Sequence, residues 1–268
     1  LTYIKNNLTL AKYGLFNYFS GVINNLTLDN FYISVSVNAN TSYGTHQLAF
    51  LICNSTNVQI LNSSIINSSL EIHDNSSPNN ILNIYAGAFV SEASSTILIN
   101  NCYTNNINIV GNSNECIDNS SCGYICVGGF VASVSTATIT IKNSYYSGKI
   151  SGSKGRNVYV GGFIAYSDHS GGDILIEDCI SFGSTSCVIG KYGAWCGDVT
   201  GIINRAYKLV NVYEKNKHSY SYPISNESKA YPTDLNREFF AGVLKWNAEI
   251  WDFSELDVES GKYPKLKQ

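Results

Sequence analysis

Through most of the chain, apolar and polar residues alternate over short stretches, as in Thr138-Ile139-Thr140-Ile141-Lys142 and Ile97-Leu98-Ile99-Asn100. A repeat of two is the period of a half-buried strand, whose side chains point alternately to opposite faces. The β-branched and aromatic residues that fill these stretches suit strands. The Asn and Gly between them suit tight turns, because both tolerate positive φ. Helical spacing is nearly absent before the last fifth of the chain. The pattern predicts many short strands and little helix.

The strands belong to a repeat. One phrase reads Ala86-Gly87-Ala88-Phe89-Val90, then Val127-Gly128-Gly129-Phe130-Val131, then Val160-Gly161-Gly162-Phe163-Ile164. Weaker copies are Leu48-Ala49-Phe50-Leu51, Gly193-Ala194-Trp195-Cys196 and Leu15-Phe16. The aromatic anchors Phe16, Phe50, Phe89, Phe130, Phe163 and Trp195 lie roughly 32 to 41 residues apart, within the range of solenoid repeats. A second phrase, Ile-x-Asn-small, follows each anchor. It begins at Ile23, Ile60, Ile99, Ile141, Ile176 (with Asp178 in place of Asn) and Ile203 (with Arg205 in its place).

Two phrases in constant order predict a coil whose windings rest on one another. The fold class expected is all-β: a parallel β-helix, or β-solenoid, of about six coils, right-handed by the general crossover preference. Like residues would then lie one strand spacing apart, about 4.8 Å. The isoleucines would form one buried column and the aromatics another. The small residues Ala49, Ala88, Gly129, Gly162 and Ala194 would let the wall bend beside the anchors. Asn25, Asn62, Asn101 and Asn143 would occupy one corner in the left-handed conformation, each amide bonding to the copy above. Asp178 and Arg205 are expected to interrupt that ladder. Cys102 and Cys179 fall in the small column two windings apart, beyond the reach of a disulfide with each other.

Composition narrows the class. The 268 residues are 44% hydrophobic and 14% charged, the reverse of a disordered chain. A net charge of -3 gives no basic field for nucleic acid, and no apolar run is long enough to span a membrane. The chain holds no Met and opens at Leu1 without a leader-like stretch, which reads as a mature chain or an excised piece.

There are 8 cysteines. The polar stretch from Asn112 to Cys126 suggests a local staple, with Cys116 and Cys122 as the preferred pair and Cys187 with Cys196 as a second. The cysteine count and the Asn-x-Ser/Thr acceptors at Asn40, Asn54, Asn67, Asn75, Asn119 and Asn226 fit an oxidising, secretory setting. Asn25 and Asn62 are also acceptors by sequence, but corner positions predict poor ones.

The run Lys142-Asn143-Ser144-Tyr145-Tyr146-Ser147-Gly148-Lys149-Ile150-Ser151-Gly152, followed by Val160-Gly161-Gly162-Phe163-Ile164, resembles the GLUG repeat. That family's typical text is Asn-Ser-Tyr, small residues, Gly, Val, Ser-Gly, then Val-Gly-Gly-Leu-Val-Gly. Phe130 and Phe163 stand where Leu is usual, and Ala132 and Ala165 replace the last Gly. The likeness covers roughly residues 86–206 and is weak before them. It implies a β-solenoid in large surface or secreted proteins, adhesins among them, and carries over no catalytic residue. The endings Trp251-Asp252-Phe253 and Gly261-Lys262-Tyr263-Pro264-Lys265-Leu266 are similar to those that close surface solenoids.

Residues 1–212 are therefore expected to be solenoid, and 213–268 a connector and a small C-terminal α/β cap. The cap would hold a short helix started by Thr233 or Asp234 and would cover the last coil's open edges. The tryptophans would serve that cap; a sugar-stacking platform is the competing reading.

For chemistry, the densest acidic group is Asp168, Asp173, Glu177 and Asp178, with His169 nearby. A solvated turn explains it without a reaction, whereas glycoside hydrolysis needs two carboxylates converging on one bond. No nucleophile elbow, phosphate loop or paired-His motif is present, and no cofactor is expected. Two functions remain. One is a non-enzymatic extracellular or cell-surface module, an adhesin, spacer or filament component, meeting a protein or glycan through a lateral face. The other is a carbohydrate-active β-helix enzyme using the acidic group.

Overall fold

The computed structural model describes residues 2–6, 10–38, 43–76, 81–113, 123–168, 172–188, 193–203, 207–215 and 228–267. They form an all-β parallel solenoid of about five full turns and a partial sixth. Six strands, Leu10–Tyr13, Tyr43–Ala49, Ile81–Gly87, Tyr124–Gly128, Asn157–Gly161 and Gly193–Gly197, stack in that order as the first face. A bend of two residues leads each into the second face. The chain then turns two corners to a third face, which includes Tyr32–Asn38, Ser69–Asp74, Tyr103–Asn112 and Tyr145–Ser153. Thr2–Asn6 pairs in parallel with Tyr32–Asn38 on the N-terminal side of that stack.

The isoleucine column is continuous. Ile23, Ile60, Ile99, Ile141 and Ile176 are in register and buried. Burying each such side chain contributes about 1.5–3 kcal/mol. The sixth member is Leu209 and not Ile203, which pairs instead with Ser167. The true last copy of the phrase is Leu209-Val210-Asn211-Val212. Leu fills the same inner space as Ile, so a search keyed on Ile passes over it.

The aromatic column is shorter than expected. Phe89, Phe130 and Phe163 stack with ring centroids 4.9 Å apart at both steps. In the sixth turn Val199 occupies the position, since Phe163 N–H bonds to its carbonyl, while Trp195 pairs with Tyr159 four residues earlier. In the second turn Gly87 lies on Ala49 and Val90 on Ile52, which puts Leu51 level with Phe89 and Phe50 level with Ala88. Phe16 lies on Ile52. The inward bend position requires a bulky apolar group, and Leu and Val meet that need as well as Phe.

The small residues expected fall in more than one column: Ala88, Gly129 and Gly162 share one, Ala49 belongs to the column just before it, and Ala194 pairs with Val158. Ala49, Gly87, Gly128, Gly161 and Gly197 are the residues in register. A Cβ on Gly128 would lie 2.0 Å from the Val131 carbonyl oxygen, so the bend closes only around a hydrogen.

The corner residues take the left-handed conformation expected, and that series runs further, but the amide ladder forms only in part, since Asn62 donates to Asn24 rather than to Asn25. Asn25, Asn62, Asn101, Asn143, Asp178 and Asn211 all have φ between 47° and 58°. Asn101 Nδ2 donates to Asn62 Oδ1 at 3.1 Å and Asn143 Nδ2 to Asn100 Oδ1 at 2.9 Å. Asp178 keeps the left-handed backbone and its carboxylate accepts from Asn211 Nδ2 at 3.0 Å, but no side-chain bond joins it to Asn143, so the amide ladder breaks at that step as expected. Arg205 lies outside the described residues. A second ladder, unforeseen, occupies the next corner, where Asn67 Nδ2 donates to Asp29 and Asn106 Nδ2 to Asn67, each at 3.0 Å.

The last solenoid strand ends at Glu214, and Lys229–Ala230 pairs beside it. The C-terminal segment contains a π turn at Phe239–Val243 and an antiparallel pair, Trp251–Asp252 with Lys265–Leu266. Asn236, rather than Thr233 or Asp234, supplies the cap: its Oδ1 accepts from Phe239 N–H at 3.0 Å. The tryptophans lie along the flank of the solenoid. Tyr103, Tyr145, Ile180 and Tyr213 form an outward column across four turns, and Phe239, Phe240, Trp246 and Trp251 pack on it. Trp246 and Trp251 stack at 4.5 Å and are 1% and 0% exposed, so neither offers a free face to a sugar.

Candidate binding trough

Each first-face strand ends one or two residues past an outward side chain, and the bend that follows turns the next outward side chains back toward it. The register places Lys12, Gln47, Tyr85, Cys126 and Tyr159 in one outward column of the first face. Tyr18, Asn54, Glu92, Ser133 and Tyr166 form the facing column of the second. Contacts cross the bend between them. Lys12 Nζ sits 3.7 Å from the Tyr18 ring centroid, and Tyr159 packs on Tyr166 at 4.7 Å. The outside of the bend is thus a re-entrant trough parallel to the solenoid axis.

Its two ends differ. Toward the N-terminal end, Glu92 accepts hydrogen bonds from Gln47 Nε2 and, at 3.4 Å, from Asn54 Nδ2, both on one carboxylate oxygen. Burial raises the Glu92 pKa, while nearby Lys12 and the Gln47 hydrogen bond act the other way. Gln47 is 4% exposed and its Oε1 has no hydrogen-bond partner.

The other end is a tyrosine shelf. Tyr124 lies nearly parallel to Tyr166 at 6.5 Å, with an interplanar angle of 9°, and 6.2 Å from Tyr159. Tyr124 is 37% exposed, and Tyr85 and Tyr166 are half-buried. Cys126, Ala132 and Ala165 form the buried floor. Burial pushes the Tyr85 hydroxyl and the Cys126 thiol well up, so both stay protonated at neutral pH.

The sequence did not single out these residues. The signal was present: Tyr85 and Tyr159 stand two residues before Gly87 and Gly161 of the repeated phrase, and Tyr166 stands three after Phe163.

The acidic group from the sequence does not converge here. Glu177 is ion-paired with Lys142 at 2.6 Å on the outer side of the second face. Asp178 belongs to the corner ladder, and Asp173 is exposed at the other end of the same strand segment. Five extended residues separate Asp173 from Asp178 by about 16 Å. Paired glycosidase carboxylates stand about 5–9.5 Å apart. Asp168 follows the end of its strand at Ser167, its N–H on the Val134 carbonyl oxygen, and His169 lies outside the described residues. Among the described residues no three His, Cys, Asp or Glu side chains gather as for a metal.

The Cys187–Cys196 disulfide is present, with Cα atoms 6.2 Å apart. Cys116 and Cys122 lie outside the described residues. Cys102 and Cys179 are separate buried thiols, as are Cys53 and Cys126. Of the glycosylation acceptors, Asn40, Asn119 and Asn226 lie outside the described residues. Asn54 faces the trough and Asn67 is held in the second ladder, whereas Asn75 is exposed just past a strand end. No described helix is long and apolar enough to cross a membrane.

Comparison with known proteins gives no match to a family model, to a curated protein or to a solved structure. The geometry alone defines the class, a parallel β-solenoid with an aromatic segment strapped to its flank and a lateral trough.

Proposed function

We propose that the chain is a non-enzymatic binding module of an extracellular or cell-surface protein, engaging its partner through the lateral trough. The observation that carries this reading is the trough itself, where five successive turns align tyrosines and polar groups outside the main core. The likeness of residues 86–206 to GLUG repeats, the disulfide and the exposed acceptor at Asn75 fit an extracellular setting. The separation of Asp173 from Asp178 weighs against the carbohydrate-active alternative.

Two measurements test the proposal. Incubation with a polysaccharide panel is expected to release neither reducing ends nor unsaturated sugars. Turnover lost in Asp173→Ala or Asp178→Ala would establish the enzyme instead. Retention on immobilised mucin and fibronectin is expected for at least one surface and should fall with Tyr166→Ala. Retention on neither, or retention indifferent to that change, counts against the trough as a binding site.

A further inference from the structure

The trough's chemistry narrows its occupant, given the binding reading above. Two properties must be matched together. The first is a shortage of donors at the Glu92 end. One Glu92 oxygen receives both protein donors, and the other receives none among the described residues. Gln47 Oε1 beside it is also unpartnered although Gln47 is only 4% exposed. A buried acceptor without a donor is costly, and a ligand hydroxyl that reached it would recover part of that cost. The second property is the run of partly exposed tyrosine rings, apolar on their faces and polar at their hydroxyls.

A peptide matches these poorly. Peptides join sheets by pairing with a free strand edge or by placing side chains in pockets. Along the trough every first-face strand between the ends is already paired on both sides, so no edge is offered. A sugar matches both properties, since its hydroxyls donate and its C–H face lies flat on an aromatic ring. The Lys12 and Tyr166 turns are four strand spacings apart, about 19 Å, which suits a short linear chain laid along the axis.

We infer that the trough binds an uncharged linear oligosaccharide, its hydroxyls donating to Glu92 and Gln47 and its rings stacked on the Tyr85, Tyr124 and Tyr166 shelf.

The test is calorimetric titration of the whole chain with cellohexaose, maltohexaose and chitohexaose. At least one is expected to bind. Tyr166→Ala should weaken that binding about fivefold to tenfold through loss of stacking. Tyr166→Phe should retain most of it, which separates a stacking role from a damaged fold. Glu92→Gln, which keeps shape but removes charge, should weaken it about tenfold. Lys208→Ala, in the last turn of the second face and outside both trough columns, should leave it unchanged. No binding by any of the three sugars overturns the inference, as does binding indifferent to both Tyr166→Ala and Glu92→Gln. If the sugars fail while retention on fibronectin still depends on Tyr166, the glycan assignment falls and the binding reading stands with a protein partner. If both fail, the trough is not a binding site.

Discussion

The indole Nε1–H of Trp246 donates a hydrogen bond to the backbone carbonyl oxygen of Asp178 at 2.8 Å, across 68 residues of chain. Asp178 is a corner residue with φ of 51°, so the C-terminal segment is fastened to a corner of the coil. Tyr263 stacks on Phe182 at 4.2 Å beside it, and the Tyr231 hydroxyl donates to the Ser181 carbonyl oxygen. The segment thereby seals the outward Tyr103 and Tyr145 column, whose rings stack at 4.8 Å.

Trp246→Ala removes both the buried ring and that hydrogen bond. The expected loss is about 3–5 kcal/mol by urea denaturation, the range for a buried aromatic. Trp246→Phe should lose less, because much of the ring packing remains. An unchanged denaturation midpoint in the alanine variant would mean that the segment does not stabilise the coil.

Asn101→Ala is expected to cost about 1–3 kcal/mol, from a lost ladder bond and from holding alanine in the left-handed region. Asn101→Gly should be milder, since glycine accepts that φ at little cost. Equal losses in the two variants would remove the backbone part of the argument.

His46 is fully buried with both ring nitrogens unpartnered. Burial lowers its pKa, and Asp74 only partly offsets this. A depressed folded pKa means stability that is complete above the unfolded value, about 6.5, and is lost as pH falls toward the folded one. Denaturation midpoints should therefore decline as pH drops below about 6.5. His46→Leu should flatten that slope; a slope unaffected by the change would assign it to other groups.

Cys53, Cys102, Cys126 and Cys179 are buried, and burial pushes the Cys102 thiol up to about 12. Peptide mapping after alkylation of the native chain should find all four unlabelled, with labelling only after denaturation. Labelling of Cys102 in the folded chain at neutral pH would contradict its placement.

Produced in a eukaryotic secretory host, the chain should carry glycan at Asn75 and not at Asn67. Asn75 is exposed, whereas the Asn67 amide nitrogen is committed to Asp29 and its oxygen accepts from Asn106. Site-resolved glycopeptide mass spectrometry reads both.

The winding was legible in the amino-acid sequence because each turn must present the same surface to its neighbours. Ile99 and Ile141 meet only if the phrase around them recurs, and Asn101 and Asn143 show the same recurrence at the corner. The register at the ends was not legible. Leu209 serves as well as Ile and Val199 as well as Phe, because the core selects volume and not identity. The trough was hidden for a different reason. Tyr159 and Tyr166 are seven residues apart and meet only because the bend folds one outward face toward the next. The place of Trp246 was likewise a tertiary matter: its ring needed an apolar surface, and the tyrosine column on the flank supplied one that no local pattern marks. Sequence alone determined what repeats along the axis; only the folded coil decided what meets across it.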